Sequence, residues 1–223
     1  QAVVIEGYPA FEAPIFSYLM RHRGVKVRNV ERVWLPTEEY AAYSVVIVTG
    51  DLARAKVQPT VYSPDDLRNV KAFLEKGGTL LLTRGNAALF NSLEGQLFLQ
   101  ETMGTAPKVL KDARNDVAIV RKDHPWVRHL DPNRARPWLN ENASGRLPAG
   151  KAERILGTPS GHAILARAPV GKGQIIYIGW DIARSLPEGR RPSTAEDERT
   201  YDEQARILTA ILDGLFPRPQ EGR

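Results

Sequence analysis

Three short apolar runs in the first hundred residues each stop at a loop-forming cluster: Ala2-Val3-Val4-Ile5 before Glu6-Gly7-Tyr8-Pro9, Ser44 to Thr49 before Gly50-Asp51, and Thr79 to Thr83 before Arg84-Gly85-Asn86. Runs of this length that are apolar at successive positions predict strands covered on both faces, as in a parallel sheet between helical layers. Val25 to Val30 alternates and predicts a further strand. Between these runs the period changes. Ile15, Phe16, Leu19 and Met20 recur at helical spacing after a first-turn proline, Pro14, and Gly24 supplies a stop. Ser63-Pro64-Asp65-Asp66 combines a capping hydroxyl, proline at the first helical position and acids in the first turn, and Leu67, Val70, Phe73 and Leu74 form the apolar face behind it. A third helical stretch runs to about Met103. The order strand, helix, strand, strand, helix, strand, helix predicts a doubly wound α/β architecture with helices on both faces.

Residues 105 to 160, rich in Pro, Arg, Asn and Asp, predict an irregular elaboration with short strands near Val117 to Val120 and Arg154 to Leu156. His162 to Ala166 and Gln174 to Ile178 flank Pro169-Val170-Gly171-Lys172-Gly173, which predicts an antiparallel hairpin. Ser193 and Glu196 have capping-box spacing, and Tyr201, Ala205, Leu208, Ile211, Leu212 and Leu215 predict a closing amphipathic helix. No repeat or low-complexity linker divides the 223 residues, so we expect one domain over 1–223.

Composition narrows the class. With 42% hydrophobic and 26% charged residues the chain is globular, and no stretch approaches the ~18 consecutive apolar residues of a membrane helix. Membrane insertion is therefore not expected. The 31 basic and 26 acidic residues are interleaved, the net charge is +5, and no motif of a nucleic-acid reader accompanies Arg190-Arg191 or Arg134-Ala135-Arg136, so nucleic acid is not an expected partner. The chain contains no cysteine, which excludes disulfides and a cysteine nucleophile. It opens on Gln1 and enters an apolar run at once, from which we expect a start removed by processing or truncation; the compartment stays open, an extracytoplasmic one included.

In open α/β sheets ligands bind beyond the carboxyl ends of the strands. That rule selects Glu6, Tyr8, Asp51, Arg84, Asn86, Trp180 and Asp181 as candidate ligand-binding residues, set against their plain uses as helix caps, ion pairs and core aromatics. Other constellations are read as structural. His124 and His129 are five residues apart, not the four of a zinc helix, and predict a turn with a short helix; Ser160 near His162 lies in a loop; Gly171-Lys172-Gly173 lacks a phosphate-loop context. No metal and no cofactor is expected.

The pattern Leu67-x-x-Val70-x-x-Phe73-Leu74-x-x-Gly77-Gly78-Thr79-Leu80-Leu81-Leu82, a helix ending in Met103-Gly104, His124-Pro125 and Gly171-Lys172-Gly173-Gln174-Ile175-Ile176-Tyr177-Ile178-Gly179 resembles the class I glutamine amidotransferase-like superfamily, over nearly the whole chain. It is most similar to the trehalose-utilisation-protein-like branch and the trimerisation domain of some β-galactosidases. The resemblance implies a flavodoxin-like layered sheet and, in true amidotransferases, a cysteine at the elbow after the strand that here is Leu80 to Thr83. That elbow reads Arg84-Gly85-Asn86, and an asparagine amide cannot form the thioester. Glutaminase activity is expected to be absent. The leading expectation is a noncatalytic domain that binds a small polar ligand, a carbohydrate among the candidates, or a partner protein at the strand ends. A carbohydrate-active hydrolase using Glu6 with Asp51 or Asp181 is one alternative, and a structural or oligomerisation module of a larger protein, as a homo-oligomer or beside a neighbouring domain, is the other.

Overall fold

A computed structural model describes residues 1–6, 12–30, 40–49, 64–83, 93–105, 108–109, 115–134, 137–138, 145–148, 150–180, 182 and 193–217. Twelve strands and four helices are assigned among them. In chain order they are β1 (Ala2–Glu6), α1 (Ala13–Arg21), β2 (Val27–Val30), β3 (Val45–Thr49), α2 (Pro64–Glu75), β4 (Thr79–Thr83) and α3 (Leu93–Met103). Five short strands follow: β5 (Lys108–Val109), β6 (Asn115–Asp116), β7 (Ala118–Ile119), β8 (Pro137–Trp138) and β9 (Gly145–Arg146). The chain closes with β10 (Glu153–Gly157), β11 (Ala163–Val170), β12 (Gly173–Ile178) and α4 (Ala195–Leu215).

Eight strands form one mixed sheet in the order β2-β1-β3-β4-β12-β11-β10-β7. From β2 to β12 every pairing is parallel, and from β12 to β7 every pairing is antiparallel. β3 and β4 are buried at all their positions, as their unbroken apolar runs require. Alternation sends successive side chains to opposite faces, and two cores result. On one face Val45, Ile47, Leu81, Ile176 and Ile178 meet Phe16 and Met20 of α1 and Ile207, Leu208, Ile211 and Leu212 of α4. On the other, Val46, Val48, Leu80, Leu82, Ile175 and Tyr177 meet Leu67, Val70, Phe73 and Leu74 of α2 and Phe98, Leu99 and Met103 of α3.

Local chemistry sets the ends of the elements. α1 stops because Gly24 takes φ +71, which lets Val25 N–H turn back to the carbonyl of Met20. The hairpin strands run further than the sequence suggests, β11 to Val170 and β12 from Gly173, leaving Gly171-Lys172 as the tip. Within 105 to 160, β7 and β10 extend the main sheet, while β5 with β9 and β6 with β8 form two separate short ribbons.

Three expectations need correction. The second strand begins at Val27 rather than Val25. Around His124 the described chain forms successive turns instead of a short helix, with His124 N–H, Val127 N–H and Leu130 N–H each reaching the carbonyl three residues back. The capping box of α4 is Thr194 with Asp197, not Ser193 with Glu196: Thr194 Oγ1 accepts from Asp197 N–H at 3.0 Å, and Asp197 Oδ2 accepts from Thr194 N–H at 3.0 Å. Ser193 joins through both its N–H and its hydroxyl, to the same Oδ2. A carboxylate reached by all these donors forms the tighter box.

Candidate functional site

The parallel strands bring the carboxyl ends of β1, β3, β4 and β12 side by side. Glu6 ends β1 in register with Thr49 at the end of β3, and Thr83 ends β4 in register with Ile178 at the end of β12. Of the residues selected from the sequence, Tyr8, Asp51, Arg84, Asn86 and Asp181 lie outside the described residues, and Glu6 is described by its backbone alone. Trp180 is described. It is 3% exposed and belongs to the same apolar cluster as Ile178 and Ile182.

The structure puts a different carboxylate at this edge. Glu12 is the N-terminal cap residue of α1, but its side chain makes no capping bond. Its backbone carbonyl accepts from Ile15 and Phe16, while its carboxylate, in a residue only 7% exposed, turns to the sheet. Oε2 accepts from the Thr83 hydroxyl at 2.5 Å, and Oε1 accepts from Ile182 N–H at 3.3 Å. Glu12 therefore ties the start of α1 to the end of β4 and to the segment beyond β12. A buried carboxylate needs such donors, since leaving it unsatisfied would cost the full desolvation of a charge. One strand away, Thr49 is 1% exposed and its hydroxyl has no hydrogen-bond partner among the described residues. The edge thus combines a committed carboxylate with a buried hydroxyl that has spare capacity.

Glu12 was not selected from the sequence because Glu12-Ala13-Pro14 reads as an ordinary helix entrance. Thr83 and Ile182 lie 71 and 170 residues away, so no local spacing signals these two bonds.

The histidines weighed in the sequence make local contacts. His124 is buried against the Trp126 ring, with centroids 4.6 Å apart, and its Nδ1 accepts from Trp126 N–H at 3.3 Å. Burial lowers its pKa below the ordinary histidine value, with Arg167 and Arg121 acting in the same sense and Glu153 and Asp123 opposing them. Ser160 Oγ lies 3.0 Å from His162 Nδ1 and 2.8 Å from Thr158 Oγ1, in the exposed turn joining β10 to β11. This local polar turn stands at the same edge of the sheet, two strands from β4, because antiparallel β11 starts at Ala163 beyond Leu165, the partner of Ile178 at the end of β12. Among the described residues no group of three His, Asp or Glu side chains is placed to hold a metal ion, and no helix is long and apolar enough to cross a membrane.

A scan against models of protein families finds no match, and a search of curated proteins finds none either. Solved structures do match. The N-terminal domain of mmIFT52 superposes with a TM-score of 0.61 at 13% identity, covering 100% of both chains. Cytoplasmic protein STM1381 from Salmonella typhimurium LT2 gives 0.59 at 13% identity, over 97% of this chain and 100% of that one. The cold-adapted β-galactosidase from Rahnella sp. R3 gives 0.55 at 15% identity, with 97% of this chain matching only 31% of the galactosidase. At such identities the likeness is one of fold: this chain shares its mixed α/β architecture with whole cytoplasmic proteins and with a minor part of larger glycosidases.

Proposed function

We propose that the chain is a noncatalytic, glutamine amidotransferase-like module, flavodoxin-like in its layering and a single domain over 1–223, that acts as a structural or oligomerisation element. The observation that carries this reading is the coverage: 97% of this chain matches 31% of the Rahnella β-galactosidase, so the same fold recurs as one component of a longer chain. The elbow after β4, Arg84-Gly85-Asn86, supports the noncatalytic part, because it offers no thiol. Glu12 supports it too, since its carboxylate is engaged by Thr83 and Ile182. Sedimentation velocity of the whole chain over a range of concentrations tests the proposal. A defined dimer or trimer is expected; a monomer at every concentration overturns the oligomerisation role. Glutamate release from glutamine is expected at the level of buffer alone.

A second reading is favoured by the buried hydroxyl of Thr49, unpartnered among the described residues: a small polar ligand or a partner protein received at the carboxyl edge by Glu6, Tyr8, Asp51, Arg84, Asn86 and Asp181. Calorimetric titration of a sugar and metabolite panel against wild type and Arg84→Ala tests it. Binding unchanged by the substitution removes this site. The hydrolase alternative requires two carboxyl groups roughly 5 to 9.5 Å apart across one cleft. Glu6→Gln with no loss of glycosidase activity on any active substrate would remove it.

A further inference from the structure

At the opposite, amino-terminal edge of the sheet a cavity of about 390 Å³ opens beside the starts of β3 and β4. It lies within the general size range of small-molecule sites, yet the rule that places ligands at carboxyl edges does not select it. Its floor is the buried pair Tyr40 and Phe73, with ring centroids 5.7 Å apart. Phe73 reaches that position because Gly78 has no side chain: a Cβ there would stand 2.3 Å from Cζ of the ring. Half-buried Tyr43 and Asn69 form the walls, and exposed Ser44 and Lys76 form the rim.

The polar groups of this lining decide the ligand class. Tyr43 accepts at its hydroxyl from Arg28 Nη1 at 3.4 Å and retains its own proton as a donor. The Ser44 hydroxyl donates to the carbonyl of Gln1 at 3.0 Å and retains acceptor capacity. Asn69 supplies both functions in one amide, and Lys76 supplies donors. No carboxylate stands among the described lining residues. Lys76, the cation among the described lining residues, is set against the carbonyl end of the α2 dipole, whose last turn forms one side of the cavity. An anion and a cation each meet one favourable and one unfavourable field. Alternating donors and acceptors around aromatic rings suit a neutral molecule with hydroxyls on its rim and an apolar C–H face.

We propose that this amino-edge cavity binds a neutral saccharide unit, its C–H face against Tyr43 and its hydroxyls shared among Asn69, Ser44 and Lys76. The inference is independent of the module reading and of the carboxyl-edge candidates. Saturation-transfer NMR on the whole chain tests it with the methyl glycosides of galactose, glucose and mannose, and with benzoate and benzylamine as charged aromatic controls. Transfer to the ring protons of at least one glycoside is expected. Asn69→Leu, which keeps a good helix former in α2, is expected to weaken that glycoside about tenfold, the equivalent of one lost hydrogen bond. Lys76→Met, at an exposed position, is expected to weaken it in the same direction, and serves if the Asn69 variant does not fold. Ser160→Ala, in the exposed turn between β10 and β11 at the other edge of the sheet, is expected to leave binding unchanged. Transfer to no glycoside, stronger transfer to benzoate or benzylamine, or binding indifferent to Asn69→Leu and Lys76→Met overturns the proposal.

Discussion

The hydroxyl of Thr83 donates to the carboxylate of Glu12 at 2.5 Å, joining the end of β4 to the start of α1 across 71 residues. Thr83→Val removes the donor but leaves the buried charge, so a loss of about 1–3 kcal/mol is expected in urea unfolding. Glu12→Gln should cost less. Its amide oxygen can accept from Ile182 N–H while its amide group donates to Thr83, whose hydroxyl rotates to accept. A Thr83→Val variant as stable as wild type would show that this contact contributes nothing to holding the edge.

The cap of α4 predicts an acid-sensitive helix end. Hydrogen bonds from the Ser193 hydroxyl first, and then from the Ser193 and Thr194 groups, hold the Asp197 carboxyl below the ordinary carboxylate range against the opposing effect of burial. The folded state therefore binds its proton less readily than the unfolded chain. The resulting stability is complete above the unfolded carboxylate pKa of ~4 and is lost as pH falls through the lower folded value. Asp197→Asn is expected to flatten that part of the stability profile. Thr194→Ala should cost about 1 kcal/mol at neutral pH, read from the denaturation midpoint.

His124 should add a second, milder acid dependence. Because burial lowers its pKa, the unfolded chain takes up this proton first, and stability begins to fall as pH drops through the unfolded histidine value of ~6.5, levelling off below the folded value. Asn at this position can still accept from Trp126 N–H. His124→Asn is expected to keep the fold at neutral pH and to remove this slope, measured as thermal midpoints across the range.

The tip of the β11–β12 hairpin packs on the end of α2 at a distance that only glycine permits. A Cβ on Gly173 would lie 2.1 Å from the carbonyl oxygen of Gly78 and 2.5 Å from that of Leu74. Both are backbone atoms, so no rotamer change relieves the clash, and Gly173→Ala should cost about 2 kcal/mol or more. Gly24→Ala is the contrast, with nothing within 4 Å of its Cβ and only the positive φ to oppose it. A loss of about 1 kcal/mol is expected there. Thermal unfolding ranks the two; an equal cost would refute the close-packing argument.

The sheet was legible from residues such as Val45 to Thr49 and Leu80 to Thr83, because burial on both faces leaves an unbroken apolar run. The helix faces were equally open, since Leu67, Val70, Phe73 and Leu74 repeat at helical spacing and all are buried. The cap of α4 was misplaced by one residue because Ser193 and Thr194 are both plausible caps, and the choice rests on which one Asp197 can serve from N3. The candidate edge was legible only as a location. Glu12 owes its role to partners supplied by chain returns, and Trp180 marked a strand end without indicating that the ring sits in the core. The amino-edge cavity left no motif, since Tyr40 and Tyr43 precede β3 while Asn69 and Phe73 belong to α2.

The position of β12 between β4 and β11 has a consequence for biosynthesis. β4 is finished at Thr83, but the strand that pairs with its far side begins only at Gly173. Until then β4, a strand buried at every position in the finished fold, lacks the partner for one hydrogen-bonding edge, and the face later covered by α4 lacks its cover as well. Pairing with β12 and docking of α4 are the steps that close that edge and cover that face.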